Sequence, residues 1–578
     1  MASQVRPEWL GSYATTRHDW HTLRTKDHSG YYRRIGIVES LFDVDGSEFE
    51  GRADITTDLL VELRTSLTLS ALRDRILQAW SVLREKHVLL ASRVVKAADL
   101  LPHQFNNSPE ERLFVFEPNT TSETMLSKAK DSLTFVEDHY PQVSIDEFFI
   151  HTLNTGRCLD ASKALSRLYV MPIDSPDNAM QAVHFILVAA HEITDGLTVM
   201  RWMSSFIDLL NASAPQLAYE AESLCSVSPV ARLPPAQETL YPPITGSAAK
   251  ERWSWALSRI LRHTRKLPPA AFQNPLRRRL PLTRATPMRP EFPAILDYTH
   301  VPPINTFAVR AALSPRASQR LTQMCRDARI SIGSGCFALV AVAMMLMEER
   351  RNPHVPQHER QPFVGSFPVN PRPFLTGRST VGREDSLMLA FSEGVSLPFL
   401  PSDFDLDRRL RLLGRQADRQ LRQYQKRPRS LEEEIHLGSK SPTQLLPLLY
   451  LDTMERLEAR CDATRKRGWN VQGDYPASTT SRLATCGISS VGDRGSIIRS
   501  GKYDTRMMPS GKDIAADFRN LESNVRARDG EFLVGAVGDN GQLRFNASYD
   551  GCAIDPALAE EWKQTMETLL EPDRLFKL

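Results

Sequence analysis

Residues 182–211 read AVHFILVAAHEITDGLTVMRWMSSFIDLLN, and the reading of this stretch decides the fold. From Ala182 to Ala190 it is a short apolar run carrying Val183, Phe185, Ile186 and Val188. That length, with β-branched and aromatic side chains, predicts a buried strand. His191, Glu192, Ile193, Thr194, Asp195 and Gly196 form a turn that ends it, after which Leu197, Val199, Met200, Met203, Phe206, Ile207 and Leu210 recur at helical spacing. An imidazole therefore stands at a strand end, a carboxylate follows four residues later, and a helix lies behind both. Loops on such rigid scaffolds are where chemistry is carried.

Working outward toward the N-terminus, Arg167–Met171 predicts a strand closed by the turn-rich PIDSPDN, so that a hairpin feeds the turn. Leu59–Leu67 alternates like a strand. Leu72, Ile76, Ala79, Trp80, Val82 and Leu83 form a helical stripe over Leu69–His87, and VLLASRVV (88–95) is expected as a further strand. Leu113–Phe116 reads as a strand and Thr124–Lys130 as a helix, and FFIHTLN (148–154) is a further candidate element. Strand, helix, strand is the opening of a mixed α/β lobe.

Toward the C-terminus, the composition changes between Ser226 and Pro303, which hold 14 of the 38 prolines. Proline removes backbone donors and blocks helix and sheet interiors. This segment, with a helix expected near Glu251–Thr264, reads as a crossover between an N-terminal lobe (1–225) and a C-terminal lobe (304–578). The second lobe is expected to contain the strand FAVRAAL (307–313), a helix over Ser314–Ala328, and a nearly all-apolar helix after the glycines of ISIGSGCFALVAVAMMLMEER. Such a helix is buried on most sides. QPFVGSFPVNPRPFL predicts a strand ending at Asn370-Pro371-Arg372. Residues 408–429 predict an amphipathic helix with Leu410, Leu413, Ala417, Leu421 and Tyr424 inward and its arginines in solvent. Arg277–Arg279 reads as a solvated loop. A loop with Ser478-Thr479-Thr480-Ser481, a strand with Gly487–Gly492, a hairpin turning at Asp539-Asn540-Gly541, and a helix over Pro556–Leu570 complete the chain.

At 578 residues the chain exceeds one ordinary core, and its 41% hydrophobic and 24% charged residues are those of a globular protein. A net charge of +3 offers no field for nucleic acid or anionic membrane. The seven cysteines form no CxxC pair, so reduced thiols in the cytoplasm are expected. No secretory signal is expected, because MASQVRPEWLGSYATTRHDWHTL lacks an apolar region. No membrane span is expected either: the longest apolar run, Phe337–Met347, falls short of the roughly 20 residues a span requires.

Three chemistries compete for HEITDG. Asp195 is a good N-cap for the helix that follows, with His191 a polar strand end. A zinc helix of the HExxH kind would need a second histidine one turn on and helix before His191; Asp195 and a strand stand there instead, so no metal is expected. The third reading is acyl transfer. An activated thioester needs only a base for the acceptor and a holder for the oxyanion, and one neutral histidine at a strand end supplies the first.

His191-x-x-x-Asp195-Gly196 after an apolar strand resembles the HxxxDG site shared by chloramphenicol acetyltransferase, nonribosomal condensation domains and BAHD acyltransferases. LQAWSVLREKHVLLASRV, GSFPVNPRPFL, Ser489–Asp493 and LRFNASYDG resemble those proteins' other elements in order and spacing, over about Leu59–Leu570. Within that superfamily the chain most resembles fungal secondary-metabolite O-acyltransferases, the trichothecene 15-O-acetyltransferases being the nearest. It departs from plant members in lacking a DFGWG motif, and from condensation domains in having Ala190 where they place a second histidine.

The resemblance implies an α/β fold of two chloramphenicol acetyltransferase-like lobes, each a mixed sheet flanked by helices, with a channel between them. It implies His191 as general base and Asp195 as a structural carboxylate paired with Arg372 of the Asn370-x-Arg372 match. Gly196 would let the helix pack closely. Ser478, Thr480, Ser489 and Ser490 are candidates for oxyanion or substrate contacts. No bound cofactor is implied. Acetyl-CoA or another acyl-CoA is the co-substrate, with a hydroxyl of a hydrophobic, trichothecene-like mycotoxin precursor as acceptor and the protein a monomer. A carrier-protein thioester as donor, and a binding-only member of the fold, are the alternatives.

Overall fold

The computed structural model describes residues 18–105, 110–173, 180–240, 269–375, 384–424 except 393, 451–461 except 454, 484–508 and 511–571, with scattered positions at 247–260 and 463–466. The expected turn at 172–178, the helix at 251–264 and the loop carrying Ser478 and Thr480 lie wholly or largely outside these residues.

In chain order, β1 (His21–Arg24) and β2 (Ser29–Arg34) lead into α1 (Ile37–Glu48). Then follow β3 (Ile55–Thr65), α2 (Leu69–Lys86), β4 (Arg93–Lys96), β5 (Arg112–Phe116), α3 (Ser122–Lys130), β6 (Leu133–Phe135) and α4 (Ile145–Asn154). β7 (Ser166–Val170), β8 (Gln181–Ala189), α5 (Gly196–Leu210) and α6 (Ala214–Ser226) complete the first half. β9 (Thr306–Ala312), α7 (Pro315–Ala328), α8 (Ile332–Arg351), β10 (Phe363–Ser366), β11 (Pro368–Val369), β12 (Ala390–Phe391), β13 (Val395–Leu397) and α9 (Leu406–Leu421) open the second. β14 (Cys486–Asp493), β15 (Ile514–Val525), β16 (Phe532–Asp539), β17 (Gln542–Asp550) and α10 (Pro556–Thr568) close it.

Two mixed sheets organise the molecule. The first runs β15-β3-β8-β7-β6 and the second β13-β10-β14-β16-β17-β9. β8 lies inside the first sheet between antiparallel β3 and β7, and its run from Phe185 to Ala189 is buried without alternation, its side chains joining the first core. β3 alternates cleanly along most of its length, with Leu59, Val61 and Leu63 turned to a core shared with Trp80 of α2 and Phe206 of α5. β15 comes from the C-terminal part of the chain yet pairs antiparallel with β3 over its whole length, tying the two halves together. The β16–β17 turn places Asn540 and Gly541 at φ 48° and 79°, the double left-handed turn that matches strand twist.

α8 is apolar from Phe337 to Met347 and every one of those side chains is buried in the second core. By length and composition it could cross a membrane, and it is packed inside the protein. α9 turns Leu410, Leu413 and Ala417 onto that core, but Arg409 is buried as well, donating to the Leu400 carbonyl at 2.7 Å. Arg277 and Arg278 are half-buried and reach the carbonyls of Gly530 and Gly551, so that loop is solvated only at Arg279.

Two local expectations change, and FFIHTLN gains an assignment. VLLASRVV is not one strand: Val88–Ala91 is a 3-10 turn and pairing begins at Arg93. FFIHTLN is the body of α4, capped by the Ser144 hydroxyl on Glu147 N. The strand before Asn370 is broken at Phe367 into β10 and β11, which join different partners, β13 and β14 for one and β12 for the other.

Candidate active site

β8 delivers His191 to the wall of a cavity of about 950 Å³ lined by both halves of the chain. The turn is held locally by Ile193 N on Ala190 O at 3.2 Å and Thr194 N on His191 O at 3.3 Å. Asp195 then starts α5 in extended conformation, at φ −129° and ψ 175°. Its Oδ1 accepts from Leu197 N at 3.0 Å and Thr198 N at 3.1 Å, an N-cap. Its Oδ2 accepts from Arg372 Nη2 at 2.7 Å and Met388 N at 3.1 Å. One carboxylate thus does both jobs weighed from the sequence, one on each oxygen.

Arg372 is equally committed. The same Nη2 is within reach of Thr198 Oγ1 and Ser386 O, each at 2.9 Å, and Asn370 Oδ1 accepts from Arg372 N at 3.1 Å. Thr198 Oγ1 also donates toward Glu384 O and Ser386 O, both at 3.2 Å, so residues 384–388 of the second half are fastened onto the start of α5. Arg372 Nη1 reaches Asn370 Oδ1 at 3.3 Å and Nε stands 3.6 Å from Glu384, so acceptors meet all three guanidinium nitrogens, a spread that one ammonium cannot cover. Gly196 departs from expectation: a Cβ there would meet nothing within 4 Å, so glycine is not required for close packing. It lines the cavity instead.

The His191 ring lies face to face with Phe42 of α1, centroids 4.0 Å apart and planes at 15°. Its Nδ1 is buried without a hydrogen-bond partner, which leaves Nε2 as the nitrogen that meets the cavity. Burial pulls the imidazole down to about 4; Arg528 lowers it further, while the backbone of His191 and Thr194 and the charge of Asp195 oppose the shift. The ring is therefore neutral across the physiological range. Ser489 and Ser490 line the same cavity where β14 shifts register between Ser490 and Gly492. Bulges of this kind re-aim side chains beside sites.

Sequence reasoning left Glu192 without a role, and its surroundings could not have been read from its neighbours in sequence. Its carboxyl is fully buried and neither oxygen has a hydrogen-bond partner. Arg157 Nη2 stands 3.8 Å away but is already bidentate to Asp54, and Arg112 is spent on Asp43. Gly46 of α1 leaves room for that Arg157 guanidinium, which a Cβ would strike. Burial, then Asp43 and Asp54, push the Glu192 carboxyl up to about 8 against the pull of the two arginines. Because the folded value lies above the unfolded one, the resulting stability is complete below about pH 4.5 and is lost as pH rises through about 8. Glu192→Gln should flatten that loss: melting temperatures of parent and variant should diverge progressively between about pH 4.5 and 8. Parallel curves over that range would disprove a neutral Glu192.

Among the described residues no group of three or more His, Cys, Asp or Glu side chains is placed to hold a metal ion. All seven cysteines are unbonded.

No protein-family model matches the chain, and no curated protein matches it by sequence. Solved structures do. Trichothecene 15-O-acetyltransferase TRI3 from Fusarium sporotrichioides superposes with a TM-score of 0.60 at 12% identity, covering 96% of this chain and 97% of that one. The fold is the two-lobed chloramphenicol acetyltransferase-like fold. The condensation domain of the Monacolin K polyketide synthase MokA shares it, with a TM-score of 0.50 at 10% identity over 96% of each chain. In this chain β8, the HEITDG turn and α5 form the strand, turn and helix that bring His191 and Asp195 to the cavity.

Proposed function

We propose that the chain is an acyltransferase that moves an acyl group, acetyl first among candidates, from a coenzyme A thioester to a hydroxyl of an apolar small molecule. The observation that carries this reading is a neutral imidazole on the wall of a cavity lined by both lobes, on a turn held from behind by Asp195 and Arg372. His191 Nε2 takes the proton of the acceptor hydroxyl as its oxygen attacks the thioester carbonyl carbon. The tetrahedral intermediate then collapses, the C–S bond breaks, and the imidazolium returns the proton to the departing thiolate. No acyl-enzyme forms. Asp195 keeps its four donors throughout and never touches substrate. Ser489 and Ser490 are among the hydroxyls on the cavity wall that could meet a developing oxyanion.

Apolar side chains from both lobes, among them Phe42, Met200, Phe337, Phe367 and Phe391, suit a hydrophobic acceptor. Trichothecene-like sesquiterpenoid alcohols head the panel to be tried, after the activity named for TRI3. The deciding assay is incubation with acetyl-CoA and a panel of such alcohols, reading free thiol and the acetylated product by mass. Transfer from coenzyme A supports the reading. Transfer only from a carrier-protein thioester replaces the donor, and no transfer from either refutes it. As the base form is the active one, kcat/KM should be level above about pH 5 and fall as pH drops through about 4. An acid limb near the ordinary histidine value of 6.5 would contradict the neutral ring.

A further inference from the structure

α1 has the sequence IVESLFDVDGSE, and its side chains from Ile37 to Gly46 are buried. Three of them are acids, which is unusual for a helix with hardly an exposed face. Each is matched by arginine: Glu39 by Arg33, Asp43 by Arg112, and Asp45 by two at once. Asp45 Oδ2 accepts from Arg528 Nε at 3.0 Å and Nη2 at 2.8 Å, and from Arg460 Nη1 at 3.0 Å. Arg528 belongs to the connection between β15 and β16, so this carboxylate clamps a loop of the C-terminal region onto a helix of the N-terminal one.

The clamp ends at the candidate base. Arg528 Cζ lies 5.2 Å from the centroid of Phe42, and Phe42 is the ring stacked on His191. Phe42 is otherwise packed against Val38, Ala53, Leu387 and Leu389, apolar neighbours from both halves of the chain. Only backbone groups, those of His191 and Thr194, act on the imidazole as hydrogen-bond partners, and Nδ1 has no side-chain partner, so the ring lacks the side-chain bond that usually fixes its orientation. The flat face of Phe42 takes its place. We propose that Phe42, held in place by the Arg528–Asp45 clamp, is the positioning residue that orients the His191 ring and keeps water from the face it covers. This deepens the reading of His191 as the base and rests on it.

The charges around the ring are accounted for. Arg528 disfavours the imidazolium and Asp195 favours it, and Asp195 is neutralised by Arg372. Arg528 is neutralised by Asp45 and, at 3.9 Å, by Glu531; Asp45 is shared with Arg460. Arg456 stands over Phe391, whose ring is 6.5 Å from Phe42, and Glu192 is turned to Arg157. The cover provided by Phe42 and the cation behind it therefore act on the ring in the same direction.

The test needs no substrate. Diethyl pyrocarbonate acylates only the neutral imidazole, so the rate of His191 carbethoxylation, followed by peptide mass spectrometry between about pH 3.5 and 8, titrates this one ring in the full-length protein. In the parent the midpoint should lie at about 4. Phe42→Ala opens the ring to water and should move the midpoint up by about one unit or more, toward 6.5, with faster labelling at every pH. Arg528→Gln, a change at the half-buried rim, should move it upward by less, since it removes a cation while the cover stays. An unshifted midpoint in both variants, with melting transitions like the parent's, overturns the proposal. Should Phe42→Ala fail to fold, an unshifted Arg528→Gln overturns it alone. Neither result bears on acyl transfer itself, which stands or falls on the coenzyme A assay and on His191→Ala.

Discussion

His191→Ala should lower acyl transfer by about 10²- to 10⁴-fold, the usual worth of a positioned general base, while the protein folds as before. The structure separates these two effects. The imidazole has no side-chain partner through Nδ1, so truncation orphans no other side chain. The carboxylate of Asp195 keeps all four of its donors, because none of them comes from His191. What is lost is the group that takes the acceptor proton, together with the ring that Phe42 covers. Single-turnover release of thiol from acetyl-CoA measures the first, and calorimetric binding of coenzyme A, expected near the parent's, measures what survives. Turnover within a few-fold of the parent would end the assignment of His191 as base.

Arg372→Ala should be the most destabilising single change near the site, at about 3 kcal/mol or more. Both partners of the pair are almost wholly buried, so removing the guanidinium strands a carboxylate oxygen with Met388 N as its sole remaining donor. It also frees residues 384–388, since the same nitrogen reaches Ser386 O and Thr198 Oγ1. The loop that carries Met388 then loosens and the start of α5 follows, so turnover should fall by about 10²-fold through misplacement of His191. Denaturant unfolding and kcat measured on the same preparations check this. Arg372→Lys should recover little of either loss, because one ammonium on a flexible stem cannot occupy the guanidinium's fork. A coupling near zero in the Asp195→Ala, Arg372→Ala double-mutant cycle would show that the pair does not act as a unit.

The candidate site was half legible. His191 and Asp195 stood out because a strand, a turn and an amphipathic helix announce themselves within thirty consecutive residues through period and cap. The capping reading of Asp195 and the pairing reading looked like rivals in sequence and coexist in the structure, since a carboxylate has two oxygens. Arg372, 177 residues away, was reachable only through the resemblance of Asn370-x-Arg372 to a known pattern. Met388, the other donor to the same oxygen, left no trace, because it contributes only a backbone N–H. Phe42 and Arg528 were equally silent: a lone phenylalanine between acids carries no functional signal, and an arginine before a turn looks like surface.

By itself the sequence determined most of what is local: β8 and the helix behind it, the buried α8, the Asn540-Gly541 hairpin, and the presence of an imidazole and a carboxylate at one turn. These follow from hydrophobic period, capping and turn chemistry, which act over a few residues. Only the tertiary structure decided what each buried charge would meet. It set β15 beside β3, gave Asp45 two arginines and Asp195 one, and left Glu192 with none to itself, so that this carboxyl keeps its proton. The reason is physical: the cost of burying a charge depends on partners that the chain brings from hundreds of residues away, and no short-range pattern records them.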